Sequence, residues 1–309
     1  MSQESGRVWS PVITPFGADL SPDTKRFVAH CRWLLDQDVG LAVFGTNSEA
    51  NSLAVGEKIR LFDALIDAGI PAARLMPGTG SCALPDTVAQ TRHAVAQGVE
   101  GVLMLPPFYY KGVSDEGLFR YFSEVVERVG DERLRIYLYH IPPVSQVPLS
   151  LALIERLLRA YPGNIVGLKD SSGDWSNTRA VIEQFGADGF QVYAGSESFL
   201  LQTLRAGGAG CISATANVNP GAIARLAKNW QTDDADEQQA ALVRTRQIFE
   251  RFPVIAALKA ATARFSVDEQ WARLRAPLLA LDERQRAELF ALLDDAGFDM
   301  PGLKTADLE

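Results

Sequence analysis

Hydrophobic and polar positions along the chain alternate between short continuous apolar runs and longer stretches of helical period. The apolar runs end in ITPF (13–16), LAVFGT (41–46), LMPGTG (75–80), GVLMLPP (101–107), IYLYHIP (136–142), IVGLKD (165–170), FQVYAG (190–195) and GCISAT (210–215), eight in all. Runs of this length bounded by Gly and Pro predict strands buried on both faces, the habit of parallel sheets. Between them lie amphipathic stretches such as SPDTKRFVAHCRWLLDQ (21–37), with Ser21 as its cap, and VGEKIRLFDALIDAG (55–69), which closes on glycine. Eightfold alternation predicts an α/β chain folded as a (β/α)8 TIM barrel, although a doubly wound open sheet shares much of the pattern. From about residue 220 the period is helical alone, as in EQQAALVRTRQIFERF (237–252) and DERQRAELFALLDDAG (282–297). We therefore read residues 1–225 as the barrel domain and 226–309 as a C-terminal helical extension packed on it.

Composition narrows the partners. The 309 residues are 47% apolar and 22% charged, ordinary for a globular chain with a large core. A formal net charge of −8 argues against nucleic acid or an anionic membrane, both of which call for a basic footprint, and favours a small molecule. Cys31, Cys82 and Cys211 are odd in number and form no C-x-x-C arrangement, which fits a reduced compartment and gives no thiol metal site. The N-terminal MSQESGRVWS lacks the pattern of a secretion signal, and no apolar run approaches the roughly 18 residues needed to span a bilayer. Both observations point to the cytoplasm.

In a barrel the chemistry lies just beyond the C-terminal ends of the strands. Thr14, Thr46, Ser48, Thr79, Tyr109, Tyr139, Ser171, Ser196 and Ser213 place hydroxyls at most of those ends. They can grip a carboxylate and relay protons without adding charge, or they can cap the helices that follow. GLKDSSGD (167–174) puts Lys169 at the end of an apolar run, with Gly167 on the same side of the strand. Tyr139 ends the preceding strand one βα unit earlier, and neighbouring strands lie about 4.8 Å apart, so both side chains can face one small substrate. An unperturbed lysine is neutral only about once in 2,500 molecules at pH 7, a deficit of roughly 4.6 kcal/mol in reactive amine. Desolvation disfavours an ammonium, and a neutral amine in a hydroxyl-lined pocket attacks a ketone to form a Schiff base. The alternative is a lysine that snorkels to the rim.

These residues resemble the pyruvate-dependent class I aldolases that include dihydrodipicolinate synthase and N-acetylneuraminate lyase. TPF (14–16), GTNSE (45–49), PPFYY (106–110), YHIP (139–142), GLKDSSG (167–173) and AGGAGCISATANV (206–218) match that family's motifs in order along nearly the whole chain. The resemblance implies a TIM barrel in which Lys169 forms an imine with pyruvate or a related 2-oxo acid and Tyr139 is the general acid and base. It implies a proton relay completed by Thr46 and by Tyr109, the latter donated by a neighbouring subunit of a homodimer or homotetramer. The backbone amides of Thr46 and Asn47 would hold the substrate carboxylate, and Gly195 and Ile212 would line the imine pocket. No metal or nucleotide cofactor is implied, because the covalent imine supplies the electron sink.

Departures from the family pattern bear on the substrate. Val144 stands where dihydrodipicolinate synthases carry an arginine for the carboxylate of the incoming aldehyde, and a charge-assisted hydrogen bond is worth about 1.5 to 3 kcal/mol, or roughly 10- to 150-fold. Glu197 and Ser198 stand where sialic acid lyases carry an acidic pair for the polyol tail, so one carboxylate survives. Asn47 and Ser48 replace a threonine and a glycine, and His140 replaces an asparagine. A packed His140 bonded to backbone is the expected outcome there. The sequence thus predicts a Schiff-base lyase, an aldolase or dehydratase, acting on a 2-oxo acid. The alternatives are a 4-hydroxy-tetrahydrodipicolinate synthase of lysine biosynthesis and a non-catalytic family member that binds a 2-oxo acid. His30, His93 and His140 lie on different expected elements and disfavour a metal-dependent aldolase, and PGTGS and AGGAG lack the spacing of a dinucleotide fingerprint.

Overall fold

A computed structural model of the chain describes residues 6–303. Residues 1–5, part of the segment scanned for a secretion signal, and residues 304–309 lie outside the described residues. In chain order the regular elements are β1 (Arg7–Ser10), α1 (Thr24–Asp36), β2 (Gly40–Leu41), α2 (Val55–Asp67), α3 (Leu84–Ala96), β3 (Val102–Met104), α4 (Asp115–Val129) and β4 (Ile136–His140). There follow α5 (Pro142–Ser145), α6 (Leu151–Ala160), β5 (Ile165–Asp170), α7 (Trp175–Phe185), β6 (Gln191–Ala194), α8 (Leu200–Arg205), β7 (Gly210–Ile212) and α9 (Pro220–Asn229). Three further helices, α10 (Ala235–Glu250), α11 (Val254–Phe265) and α12 (Glu283–Asp295), complete the chain. Two compact units result, one of Met1–Ile70 with Ser213–Glu309 and one of Pro71–Ile212.

In the Pro71–Ile212 unit five parallel strands neighbour one another in sequence order, β3-β4-β5-β6-β7. An order without reversal is that of the (β/α)8 TIM barrel, whereas a doubly wound sheet reverses at its switch point. The expected strand at 75–80 is reduced to one parallel bridge, Gly78 to Leu103, carried by Thr79 N–H to Leu103 O (3.1 Å) and Leu103 N–H to Pro77 O (3.0 Å). Pro77 has no N–H to give and limits the ladder there. With that segment counted, the described residues fill eight strand positions in alternation with helices.

The Met1–Ile70 with Ser213–Glu309 unit carries β1 and β2, paired in parallel with Trp9 opposite Gly40. Here the expected bounds shift. ITPF lies beyond the strand, because β1 ends at Ser10 before Pro11, and Ile13 N–H is held instead by the Asn217 side chain (2.9 Å). LAVFGT contributes only Leu41 to β2, and Phe44 takes a left-handed backbone (φ 62) that no strand accommodates. The cap of α1 is Asp23, whose carboxylate accepts Arg26 N–H (3.0 Å), rather than Ser21, whose hydroxyl bonds Asp19 (2.6 Å). The helix α11 is buried around most of its circumference, which its run of alanines permits. No helix among the described residues is long and apolar enough to cross a membrane.

Candidate active site

The sequence IYLYH makes β4 a strand buried along its whole length, and β5 beside it is nearly so. Their register is set by an irregularity: Ile136 pairs with Ile165, but Tyr137 pairs with Gly167, so Val166 is passed over. From that point Tyr139 stands opposite Lys169 and His140 opposite Asp170. Paired residues of parallel strands share a face, so the two reactive side chains project together. Lys169 is 2% exposed and Tyr139 3%. The Lys169 ammonium donates to Tyr139 Oη at 3.3 Å and lies 4.3 Å from the centre of the tyrosine ring.

The layer beneath this pair is aromatic. A Cβ on Gly167 would fall 2.6 Å from the Tyr137 ring and 2.4 Å from Gln191 O. The space that the absent side chain of Gly167 leaves on the Lys169 side of the strand is filled by Tyr137, which meets Tyr193 edge to face (5.8 Å). Both phenols donate to Gln191 Oε1 at 3.1 Å. Tyr193 also pairs with Lys169 across β5 and β6, a contribution to the pocket floor that no motif announced.

Beyond the strand ends, Gly195 N–H donates to Asp170 O (2.6 Å), and a Cβ on Gly195 would sit 2.1 Å from Ser171 Oγ. Only glycine lets the two chain segments pass this closely. Ile212 is buried one residue after Cys211, which pairs with Ala194, and so lies level with Gly195. Glu197 opens a short 3₁₀ turn just past β6 and is buried. Asp170 was not foreseen. Its carboxylate accepts Ser172 N–H (2.8 Å), Asn177 Nδ2 (2.9 Å) and Thr178 Oγ1 (2.7 Å), fixing the loop that follows Lys169. Only the short spacing of DSSGD and NT hinted at it.

His140 behaves as expected for a packed histidine. Leu149 N–H donates to its Nδ1 (3.1 Å), so the ring proton is assigned to Nε2. Burial lowers its pKa, with Asp170 opposing. The hydroxyl-rich strand ends divide in role. Thr14 Oγ1 bonds Ser48 O (2.7 Å), Ser48 Oγ accepts Gly45 N–H (3.1 Å), Thr79 accepts from Thr91 (2.9 Å) and Ser196 caps Ser198 N–H (3.1 Å). Thr14, Ser48 and Ser196 hold backbone and Thr79 receives another hydroxyl, while Tyr139 bonds the amine.

Four further expected site residues are Tyr109, Val144, Thr46 and Asn47. Tyr109 is 74% exposed, its ring edge to face with Tyr110 (5.3 Å), and Val144 on α5 is 63% exposed. Lys111 ties their two loops together by donating to Ser145 O (2.8 Å). Thr46 and Asn47 belong to the other unit, in a 3₁₀ turn (Thr46–Ser48) flanked by Phe44 (φ 62) and Glu49 (φ 56) in left-handed conformation. The turn's own hydrogen bonds are made by the amides of Gly45, Ser48, Glu49 and Ala50. Among the described residues no three His, Cys, Asp or Glu side chains gather as a metal-ligand set.

The dihydrodipicolinate synthetase family profile matches residues 4–296. An uncharacterized DapA-like lyase of Chloroflexus aurantiacus is 34% identical over 286 residues, 91% of this chain and 94% of that protein. The crystal structure of dihydrodipicolinate synthase from Agrobacterium tumefaciens is similar with a TM-score of 0.87 at 32% identity, over 94% of this chain and 99% of that one. YagE, a prophage protein of the same family from Escherichia coli K12 solved in complex with pyruvate, gives 0.85 at 28% identity, over 95% and 99%. Fold, motif order and near-complete coverage coincide, and the chain belongs to the dihydrodipicolinate synthetase family of lyases.

Proposed function

We propose that this protein is a class I lyase, an aldolase or dehydratase, that holds pyruvate or a related 2-oxo acid as an imine on Lys169. The observation that carries the reading is the buried pair itself, a lysine amine 3.3 Å from a tyrosine hydroxyl at the ends of adjacent strands. Attack by the neutral amine on the keto carbon gives a carbinolamine, and loss of water gives the imine. Withdrawal of a proton from the adjacent carbon then yields an enamine. In the reverse sense, the imine accepts the electrons of a breaking C–C bond; in a dehydration the enamine instead pushes its electrons back to expel a protonated β-hydroxyl as water, leaving an unsaturated imine. Tyr139 carries protons to and from these intermediates. The electron sink is the imine, so the reaction calls for no metal or nucleotide.

Through its match to the family pattern, the turn at Thr46 and Asn47 takes the substrate carboxylate on backbone amides, and the Thr46 hydroxyl joins the relay. Tyr109 completes the relay from a second copy of the chain, a role that its exposed ring leaves open, in a homodimer or homotetramer. Glu197, buried beyond β6, accepts hydroxyls of a longer 2-oxo acid tail. The apolar and exposed Val144 weighs against a 4-hydroxy-tetrahydrodipicolinate synthase, whose aldehyde brings a carboxylate. Borohydride reduction with pyruvate, followed by mass spectrometry of intact chain and peptides, tests the reading. An adduct on Lys169 supports it. A folded protein that gains no adduct, either with pyruvate or with longer 2-oxo acids, rejects it in favour of a non-catalytic role.

A further inference from the structure

The proposed mechanism uses one buried lysine; among the described residues Lys58 and Lys259 are buried as well, Lys259 completely. Lys259, on α11, is fully buried and donates to Glu49 Oε1 and to Arg273 O (2.6 Å), with the Phe16 ring centred 4.4 Å away. Burial draws its pKa down to about 8, and Glu49 resists that fall. Its donors are directed at fixed partners and its environment is closed, so it is not a second nucleophile.

The partner of Lys259 is the last residue of GTNSE. Glu49 is buried and left-handed (φ 56, ψ 34), and its N–H closes the Thr46–Ser48 turn on Thr46 O (3.1 Å). A non-glycine residue keeps that conformation only where its surroundings impose it. Here both carboxylate oxygens are held by the C-terminal segment: Oε1 by Lys259, and Oε2 by Arg275 N–H (3.0 Å). Arg275 extends the grip. Its guanidinium makes two bonds to Glu57 (2.6 and 2.8 Å), one to Ser52 O (2.7 Å) and two to Leu20 O (2.8 and 2.9 Å). The far side of the turn is held by Thr14 on Ser48 O (2.7 Å).

We propose that Glu49 and Lys259 are positioning residues for substrate binding: their buried ion pair fixes the Thr46–Ser48 turn in the shape that presents its amides to the 2-oxo acid carboxylate. The proposal rests on the reading of that turn as the carboxylate cradle. Buried ion pairs add little net stability compared with apolar replacements of similar volume, so a pair kept here is better explained by the geometry it enforces. The segment from Lys259 to Arg275 thereby serves binding without touching substrate.

The test pairs kinetics with hydrogen exchange. Glu49→Gln leaves Lys259 without its counter-ion and risks misfolding, so the double variant Glu49→Gln/Lys259→Met is measured beside it, with both charges removed. In the folded variants, KM for pyruvate in the trapping or turnover assay is expected to rise about 10- to 100-fold while the rate at saturation changes less than about threefold. Amides 45–52 should exchange faster, with the rest of the chain as in wild type. A variant whose melting temperature falls while KM and exchange at 45–52 stay at wild-type values would overturn the proposal and leave the pair a core element. Failure of the catalytic reading shows separately, as wild type that pyruvate and borohydride never label; that result removes the carboxylate role, and the positioning proposal with it.

Discussion

Tyr139 and Lys169 face one another because β4 and β5 slip by one residue after Ile136. In-register pairing from Ile136 and Ile165 would set Tyr139 against Leu168, and Lys169 would project from the other face of the sheet. The irregularity that passes over Val166 therefore brings amine and phenol within 3.3 Å.

Lys169→Ala is expected to abolish turnover and borohydride labelling with the fold retained. Tyr139→Phe keeps the ring that packs against the amine and loses only the hydroxyl, so kcat should fall by about 10² to 10⁴, the range for a lost general acid and base. Steady-state kinetics with labelling of both variants checks this. A Tyr139→Phe enzyme with wild-type kcat would remove the phenol from the mechanism.

Gly195→Ala probes the strand-end crossing. The added methyl would lie 2.1 Å from Ser171 Oγ and 2.8 Å from Asp170 O, so the segments after β5 and β6 must separate. We expect a loss of about 1 to 3 kcal/mol in stability from overpacking, with a larger proportional loss in imine formation because Asp170 anchors the loop after Lys169. Urea melts and labelling rates read the two effects independently. A variant as stable and as readily labelled as wild type would show that the crossing tolerates the methyl.

Much of the site is legible in the sequence because its chemistry sits on single strands. Lys169 ends an apolar run and Tyr139 ends another 30 residues earlier, so their strand-end placement follows from period alone. The slip that puts them on one face leaves no trace in the residue pattern. Nor does the clamp on Glu49, whose partner Lys259 is 210 residues away. The misjudged strand bounds have local causes: Pro11 stops β1, Pro77 thins the pairing beside β3, and the left-handed Phe44 ends the extended run after β2.

Val144→Arg tests the substrate assignment from the acceptor side. The position is exposed on a short helix, so a long polar side chain fits without disturbing packing. If the residue faces the incoming aldehyde, the new guanidinium should raise kcat/KM for aspartate semialdehyde with pyruvate by about 10- to 150-fold, and leave an uncharged aldehyde unaffected. Equal activity of wild type and variant on both aldehydes would show that position 144 does not meet the acceptor carboxylate.

His30 sets an acid limit on stability. It is buried between Trp33 (5.4 Å) and Trp271 (5.1 Å), and neither ring nitrogen makes a hydrogen bond of normal geometry. Burial lowers its pKa to about 4 from the ordinary 6.5, with Asn217 opposing. As pH falls through 6.5 the unfolded chain gains a proton that the native ring refuses until about pH 4, so stability is full above 6.5 and drains away between those values. The gap corresponds to about 3 kcal/mol. His30→Phe removes the titrating group and two unsatisfied nitrogens while keeping an aromatic ring between the tryptophans. It should match wild type within about 1 kcal/mol at pH 7 and exceed it by about 2 kcal/mol near pH 4.5. Carboxylates such as Glu57, held at about 2 chiefly by its hydrogen bonds to Arg275, titrate alike in both proteins and cancel in the comparison. Urea melts at the two pH values decide the matter: a difference between variant and wild type that does not change with pH would mean that His30 is protonated in the folded protein or is not buried as described.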